Sequence, residues 1–201
     1  MTVIIDVWSD FVCPWCYLAT TSLEKLAKTH DILLRWHSFE LRPPDAPPIS
    51  PEYMARIEAA RPRMAAMARE HYGIDMMPGR VNNTSRDSLI GEKIAAAAGL
   101  GNEFHHALME AYWQEEKDIA DREVLARVAA SIGMDRADFL EKLDDPEMEQ
   151  AVLADIMSAR QYGLSGVPAM IINQKCLISG AQPYEALVNA LEQVALAEAE
   201  A

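Results

Sequence analysis

Cys13 and Cys16 flank Pro14 and Trp15 in the stretch DFVCPWCYLATTSLEKL, residues 10 to 26. A cysteine pair at this spacing can clasp a metal, close a structural disulfide or cycle between dithiol and disulfide. Zinc would need two further ligands, and the spare candidates are Cys176 and five histidines. None of them forms a second closely spaced pair, and the adjacent His105 and His106 point to different sides of a helix. Three cysteines in 201 residues do not make a disulfide scaffold. A working dithiol has a different requirement: its first cysteine must sit at a helix start. There the unpaired backbone N–H groups and the positive end of the helix dipole favour a thiolate. In that arrangement Cys13 is the exposed nucleophile. Cys16, one turn on and facing the apolar stripe, is the buried resolving thiol. Pro14 stiffens the helix start, and Trp15 adds an exposed aromatic surface without charge.

The elements around the pair meet that requirement. Residues 2 to 8, TVIIDVW, read as a buried strand bounded by Ser9-Asp10. A helix follows from Pro14 to about Lys28, with Pro14 at its first position and Cys16, Ala19, Leu23, Leu26 and Ala27 as its apolar stripe. Residues 32 to 41 give a second strand, and RPPDAPPISP then breaks regular structure. From Ser50 to about Tyr162 the pattern is helical throughout, with five or six helices and no strand. Ser50-Pro51-Glu52 and Asp145-Pro146-Glu147 mark helix starts, and Asp121 can cap another. Residues 169–173 and 175–179 read as a hairpin turning near Asn173-Gln174, and Pro183 begins a last helix. The closing hairpin must join the first two strands, because neither half has enough strands alone. The chain is therefore an α/β domain, residues 1–49 and 163–201, with an all-helical domain, 50–162, inserted into it.

SGVPAM, just before the hairpin, is the second informative stretch. Read alone it is a loop. Beside a CPWC helix start it is a place for a cis Pro168 packed opposite Cys13, with the Val167 backbone free to pair with an extended substrate.

Composition narrows the function classes. Eighteen basic against thirty-one acidic side chains give a net charge of −13. Nucleic acids and anionic membranes are disfavoured, since both call for a basic footprint. The N-terminal residues lack a basic n-region and place Asp6 within the apolar stretch, which does not read as a secretory signal. No apolar run reaches membrane-spanning length. The expectation is a cytoplasmic protein.

DFVCPWCYLA, the long helical insertion, GLSGVP and ISGAQPYEAL together resemble the DsbA family of thioredoxin-fold proteins, and its FrnE-like branch in particular. The resemblance implies a thioredoxin fold (β-α-β … β-β-α) with an inserted helical domain. It also implies a redox-active Cys13–Cys16 pair, Pro168 as the active-site cis-proline, and thiol–disulfide exchange on proteins or small thiols. No bound cofactor is expected; glutathione is an optional co-substrate, and a homodimer is left open. IIDVWS resembles the thioredoxin strand whose buried aspartate moves the resolving cysteine's proton. That role maps to Asp6, which a central strand would bury under Cys16; an acid facing solvent at a strand edge is the competing reading. In glutathione-using relatives a loop like PGRVNNTS faces the active site, which makes Asn83 and Thr84 candidates for thiol-ligand contacts. Trp15 departs from the histidine that periplasmic oxidants of the family carry between their cysteines, so the direction of electron flow stays open. Cys176 reads as a small core residue on the hairpin, and His37, Arg35 and the other histidines receive no role.

Two further functions compete. Kappa-class glutathione transferases and 2-hydroxychromene-2-carboxylate isomerases look similar in fold and insertion, but place a serine where Cys13 stands. A non-catalytic holdase would instead use the methionines of the insertion, among them Met64, Met67, Met76, Met77, Met109, Met148 and Met157, as an adaptable surface.

Overall fold

The computed structural model describes residues 2–80 and 84–199. Asn83 lies outside the described residues. Strand β1 (Val3–Ser9), helix α1 (Pro14–Thr29) and strand β2 (Ile32–Ser38) form a parallel β-α-β unit in which Ser9 lies opposite Ser38. Strands β3 (Ala169–Ile172) and β4 (Cys176–Ser179) form the closing hairpin, and β3 runs antiparallel to β1. The sheet order is β2-β1-β3-β4, so both halves of the chain meet on β1. The hairpin turns through Asn173 and Gln174 at φ of 47° and 57°. Asn173 also fastens the turn to β1, its side-chain oxygen accepting from the Ile4 N–H at 2.9 Å. The result is a thioredoxin fold, completed by α8 (Tyr184–Ala199).

Six α-helices intervene between β2 and β3 among the described residues: α2 (Pro51–Met67), α3 (Arg86–Ala97), α4 (Gly101–Trp113), α5 (Arg122–Ser131), α6 (Arg136–Lys142) and α7 (Pro146–Gln161). A π-helical turn, Ala68–Tyr72, extends α2. The caps act as their residue types dictate: Ser50, Asp121 and Asp145 each accept a backbone N–H of the first turn.

Three apolar clusters organise the molecule. Ile5 and Val7 of β1 pack with Leu23 and Leu26 of α1 and Leu187 and Leu191 of α8 on one face of the sheet. Trp8, Ile171 and Ala159 of α7 meet on the other face. The largest cluster joins Phe11, Cys13, Cys16, Tyr17 and Leu18 to the helical segment through Phe104, Leu108 and Trp113. The core of the inserted helices therefore runs without a break into the start of α1. Among the described residues, no helix is long and apolar enough to cross a membrane.

Candidate active site

Cys13 caps α1 with extended backbone (φ −92°, ψ 116°) and Pro14 follows in the first helical turn. Its carbonyl accepts the N–H groups of Cys16 and Tyr17 at 3.1 and 3.3 Å. The loop leading into the helix is held twice. The Cys13 N–H donates to the Asp10 carbonyl at 3.1 Å, and the Trp113 indole donates to the Phe11 carbonyl at 2.9 Å. Both cysteines are free thiols.

The two sulfurs are pushed in opposite directions. The Cys16 thiol donates to Cys13 and is the largest influence on it; burial opposes, and the Cys16 and Trp15 backbone N–H groups assist, so Cys13 ionises more readily than an ordinary cysteine. Burial, then the hydrogen bond Cys16 donates to Cys13 and the Cys13 charge itself, drives Cys16 well above the ordinary value. The expected contrast in exposure is the part that fails. Cys13 is only 4 % exposed against 1 % for Cys16. Both sulfurs sit below the surface because the insertion packs over the helix start, and what distinguishes Cys13 is access to a cavity.

That cavity, about 840 Å³, opens beside Cys13 and is walled by Trp15, Tyr53, Met77, Trp113 and Val167 among others. Val167 comes from the loop before β3, where the Val167–Pro168 peptide is cis, and its carbonyl oxygen lies 3.6 Å from the Cys13 sulfur. Trp15 is 40 % exposed at the mouth. The structure thus brings Cys13, Pro14, Trp15, Cys16, Val167 and Pro168 together.

It does not bring Asp6 to them. Asp6 shares a strand face with Trp8, opposite the face that α1 covers, because side chains alternate along β1. There it accepts from His37 Nε2 at 2.9 Å, while His37 Nδ1 reaches Asp155 of α7 at 2.8 Å. Asp155 and Asp6 raise the His37 pKa against the effect of burial, and Trp8 stacks on the ring at 4.5 Å. This cluster ties α7 to the sheet. Thr84 is exposed just ahead of α3 and is absent from the cavity wall. Cys176 pairs with Ile172 at the turn end of the hairpin, opposite the end that Pro168 occupies. The methionines divide: Met64, Met76 and Met77 line the cavity, whereas Met109 is wholly buried in the core.

The carboxylate that does bear on the pair is Asp10. It is fully buried, accepts the Leu41 and Val12 N–H groups at 2.8 and 3.3 Å, and burial pushes its pKa up to about 6. Its charge opposes ionisation of Cys13, and its own backbone N–H favours the Cys16 thiolate. Behind Cys16 runs a second buried chain. Glu92 meets His105 Nδ1 at 2.6 Å, His105 Nε2 meets the Thr20 hydroxyl at 3.0 Å, and that hydroxyl donates to the Cys16 carbonyl at 2.9 Å. In the sequence Asp10 reads as a turn residue after a strand, and nothing marks Glu92 and His105 as partners. Among the described residues, no three His, Cys, Asp or Glu side chains gather as metal ligands.

Comparison with known proteins agrees with the fold. Residues 4–192 match the DSBA-like thioredoxin domain. A structure described as a "probable DsbA oxidoreductase" from Streptomyces coelicolor is 26% identical, with a TM-score of 0.82 over 95% of this chain and 89% of that one. A 2-hydroxychromene-2-carboxylate isomerase superposes with a TM-score of 0.82 at 21% identity, covering 98% of each chain. The cytosolic disulfide reductase DsbM from Pseudomonas aeruginosa, solved with glutathione, gives 0.70 at 17% identity over 94% of this chain and 99% of its own.

Proposed function

This chain belongs to the DSBA-like thioredoxin domain family, and on that premise we propose that it is a thiol–disulfide oxidoreductase working through Cys13 and Cys16. The observation that carries the reading is the pair of free thiols at one helix start, Cys13 capping α1 beside the cavity and 3.6 Å from the Val167 carbonyl, and Cys16 buried one turn behind it. In the reducing direction the Cys13 thiolate attacks a substrate disulfide and expels one thiolate, leaving a mixed disulfide. Cys16 then loses its proton and attacks the Cys13 sulfur, which expels the second thiolate. The substrate gains two electrons and the enzyme closes a Cys13–Cys16 disulfide; the oxidising direction runs these steps backwards.

Each neighbour has a part. The Cys16 thiol steadies the Cys13 thiolate before attack. Asp10, buried beside the pair with a pKa near that of a useful base, fits the proton acceptor that Cys16 needs later. The Val167 carbonyl offers an acceptor to an extended substrate lying across Cys13. Glutathione takes the place of an optional co-substrate, a thiol that returns the pair to its reduced form. Disulfide- or thiol-bearing proteins and small thiols are the substrate classes.

The test is turnover by a Cys16→Ser variant. Dithiol exchange requires the second sulfur, so reduction of a disulfide substrate should fall to the level of a single-turnover reaction. Unchanged turnover would move the assignment to glutathione-dependent isomerase chemistry, which needs only the first position.

A further inference from the structure

The cavity beside Cys13 has a composition unlike the rest of the chain. Acids outnumber bases by 31 to 18 overall, yet among the described residues lining the cavity four are arginines and none is Asp, Glu or Lys. Two of the four are already engaged: Arg80 pairs with Asp118 at 2.6 Å, and Arg42 donates to the Pro47 carbonyl at 2.7 Å. The other two come from α2. Arg56 has no hydrogen-bond or ion-pair partner among the described residues. Arg61 makes one long bond, to the Gly79 carbonyl at 3.4 Å, and its Nε is buried without a partner. An orphaned buried donor is costly unless something else accepts from it.

The same face of α2 is otherwise apolar. Tyr53, Ile57, Ala60 and Met64 line the cavity with Arg56 and Arg61, at the three- and four-residue spacing of one helical face, while Glu52 and Glu58 are left off it. No residue of α2 itself is fully buried, and although Met64 packs against the core, the rest of this face lines the cavity.

From this juxtaposition, and resting on the oxidoreductase reading, we infer that the cavity binds a small disulfide with an apolar, aromatic-sized body and carboxylate groups, the carboxylates held by Arg56 and Arg61. The size agrees, since about 840 Å³ is a small-ligand pocket rather than a protein-docking face. Charge complementarity agrees too. A carboxylate brought beside the Cys13 thiolate is repelled by it and by the net charge of −13, and two unpaired guanidiniums in the cavity wall offset that repulsion. A ligand with an α-ammonium, as in glutathione, would find no acidic side chain among the described wall residues to meet it.

The test compares three disulfide probes with the reduced full-length protein: dithiobis(nitrobenzoate), which is aromatic and carries two carboxylates; dithiodipyridine, which is aromatic and uncharged at neutral pH; and glutathione disulfide. In Arg56→Ala/Arg61→Ala the rate with dithiobis(nitrobenzoate) should fall roughly tenfold or more while that with dithiodipyridine stays within about twofold. Arg56→Lys/Arg61→Lys should recover part of the loss. An equal fall for both aromatic probes, no fall for the carboxylated one, or the strongest arginine dependence for glutathione disulfide would overturn the inference. Calorimetric binding of the unreactive methylthio-nitrobenzoate separates the two levels. If it binds in an arginine-dependent way while no disulfide is reduced, the anion site stands and the oxidoreductase reading falls. If disulfides are reduced but it does not bind, the site falls and the reading stands.

Discussion

The sulfur of Cys13 stands 3.6 Å from the carbonyl oxygen of Val167, a residue 154 positions away in the chain. A thiol can donate to that oxygen; a thiolate cannot, and turns to the Cys16 thiol and the first N–H groups of α1 instead. In the proposed mechanism, ionisation of Cys13 therefore frees the Val167 oxygen for a donor on the substrate as the sulfur becomes nucleophilic.

Alkylation of Cys13 by iodoacetamide should inflect below the ordinary cysteine pKa of about 8.5. The Cys16 thiol is the largest influence lowering it, so Cys16→Ala should move the inflection up. Cys16→Ser, which keeps an O–H donor, should move it less. An inflection indifferent to Cys16→Ala would put the stabilisation at the helix terminus alone.

Asp10 predicts a specific pH dependence of stability. Burial raises its carboxyl from 3.8 to about 6, so between those values the native state holds a proton that the unfolded chain has released. Stability is therefore lost as pH rises through this window, by about 3 kcal/mol once Asp10 is fully ionised. Asp10→Asn removes that dependence. Urea unfolding followed across the window should show the variant gaining on the wild type as pH rises, and a constant difference would refute the assignment. Asp10→Asn should also lower the Cys13 inflection, because the Asp10 charge opposes its ionisation.

The His37 cluster loses stability in the same direction as Asp10, but by releasing a proton that its carboxylate partners hold. Burial alone would lower the His37 pKa, but its bonds to Asp155 and Asp6 raise it. Its contribution is complete below the unfolded value and is lost as pH rises through the folded one. His37→Ala should cost about 1.5–3 kcal/mol at pH near 6 and less in alkaline solution, measured by chemical denaturation.

Gly79 turns at φ +69°, and a Cβ there would stand 2.6 Å from the Trp113 ring. Gly79→Ala combines left-handed strain with that clash and should destabilise by about 2 kcal/mol. Because Trp113 also holds the Phe11 carbonyl just ahead of Cys13, Cys13 alkylation should slow in the same variant. Unchanged alkylation would mean that Trp113 yields without disturbing the loop.

Much of this was legible in the sequence because it is local. CPWC after a β-branched run, capping residues before proline and acid, and short apolar runs around Asn173-Gln174 each encode their element within a few residues. The face a residue occupies is a different matter. Alternation in VIIDVW says that Asp6 and Trp8 share a side, but not which side α1 covers, and so it leaves Asp6 open between Cys16 and solvent, whereas it faces His37 and α7. Exposure of Cys13 misled for a similar reason, since the helices that cover it follow far along the chain. Asp10, the Glu92–His105–Thr20 chain and the arginine face of α2 all depend on contacts between distant segments. Residue type and spacing do not encode these.

The most direct measurement is the site of a trapped adduct. A Cys16→Ala protein exposed to a disulfide substrate, alkylated and analysed by peptide mass spectrometry, should carry a single persistent mixed disulfide on Cys13 and none on Cys176. Adducts on Cys176, or on no cysteine while turnover continues, would contradict an account in which Cys13 attacks and Cys16 resolves.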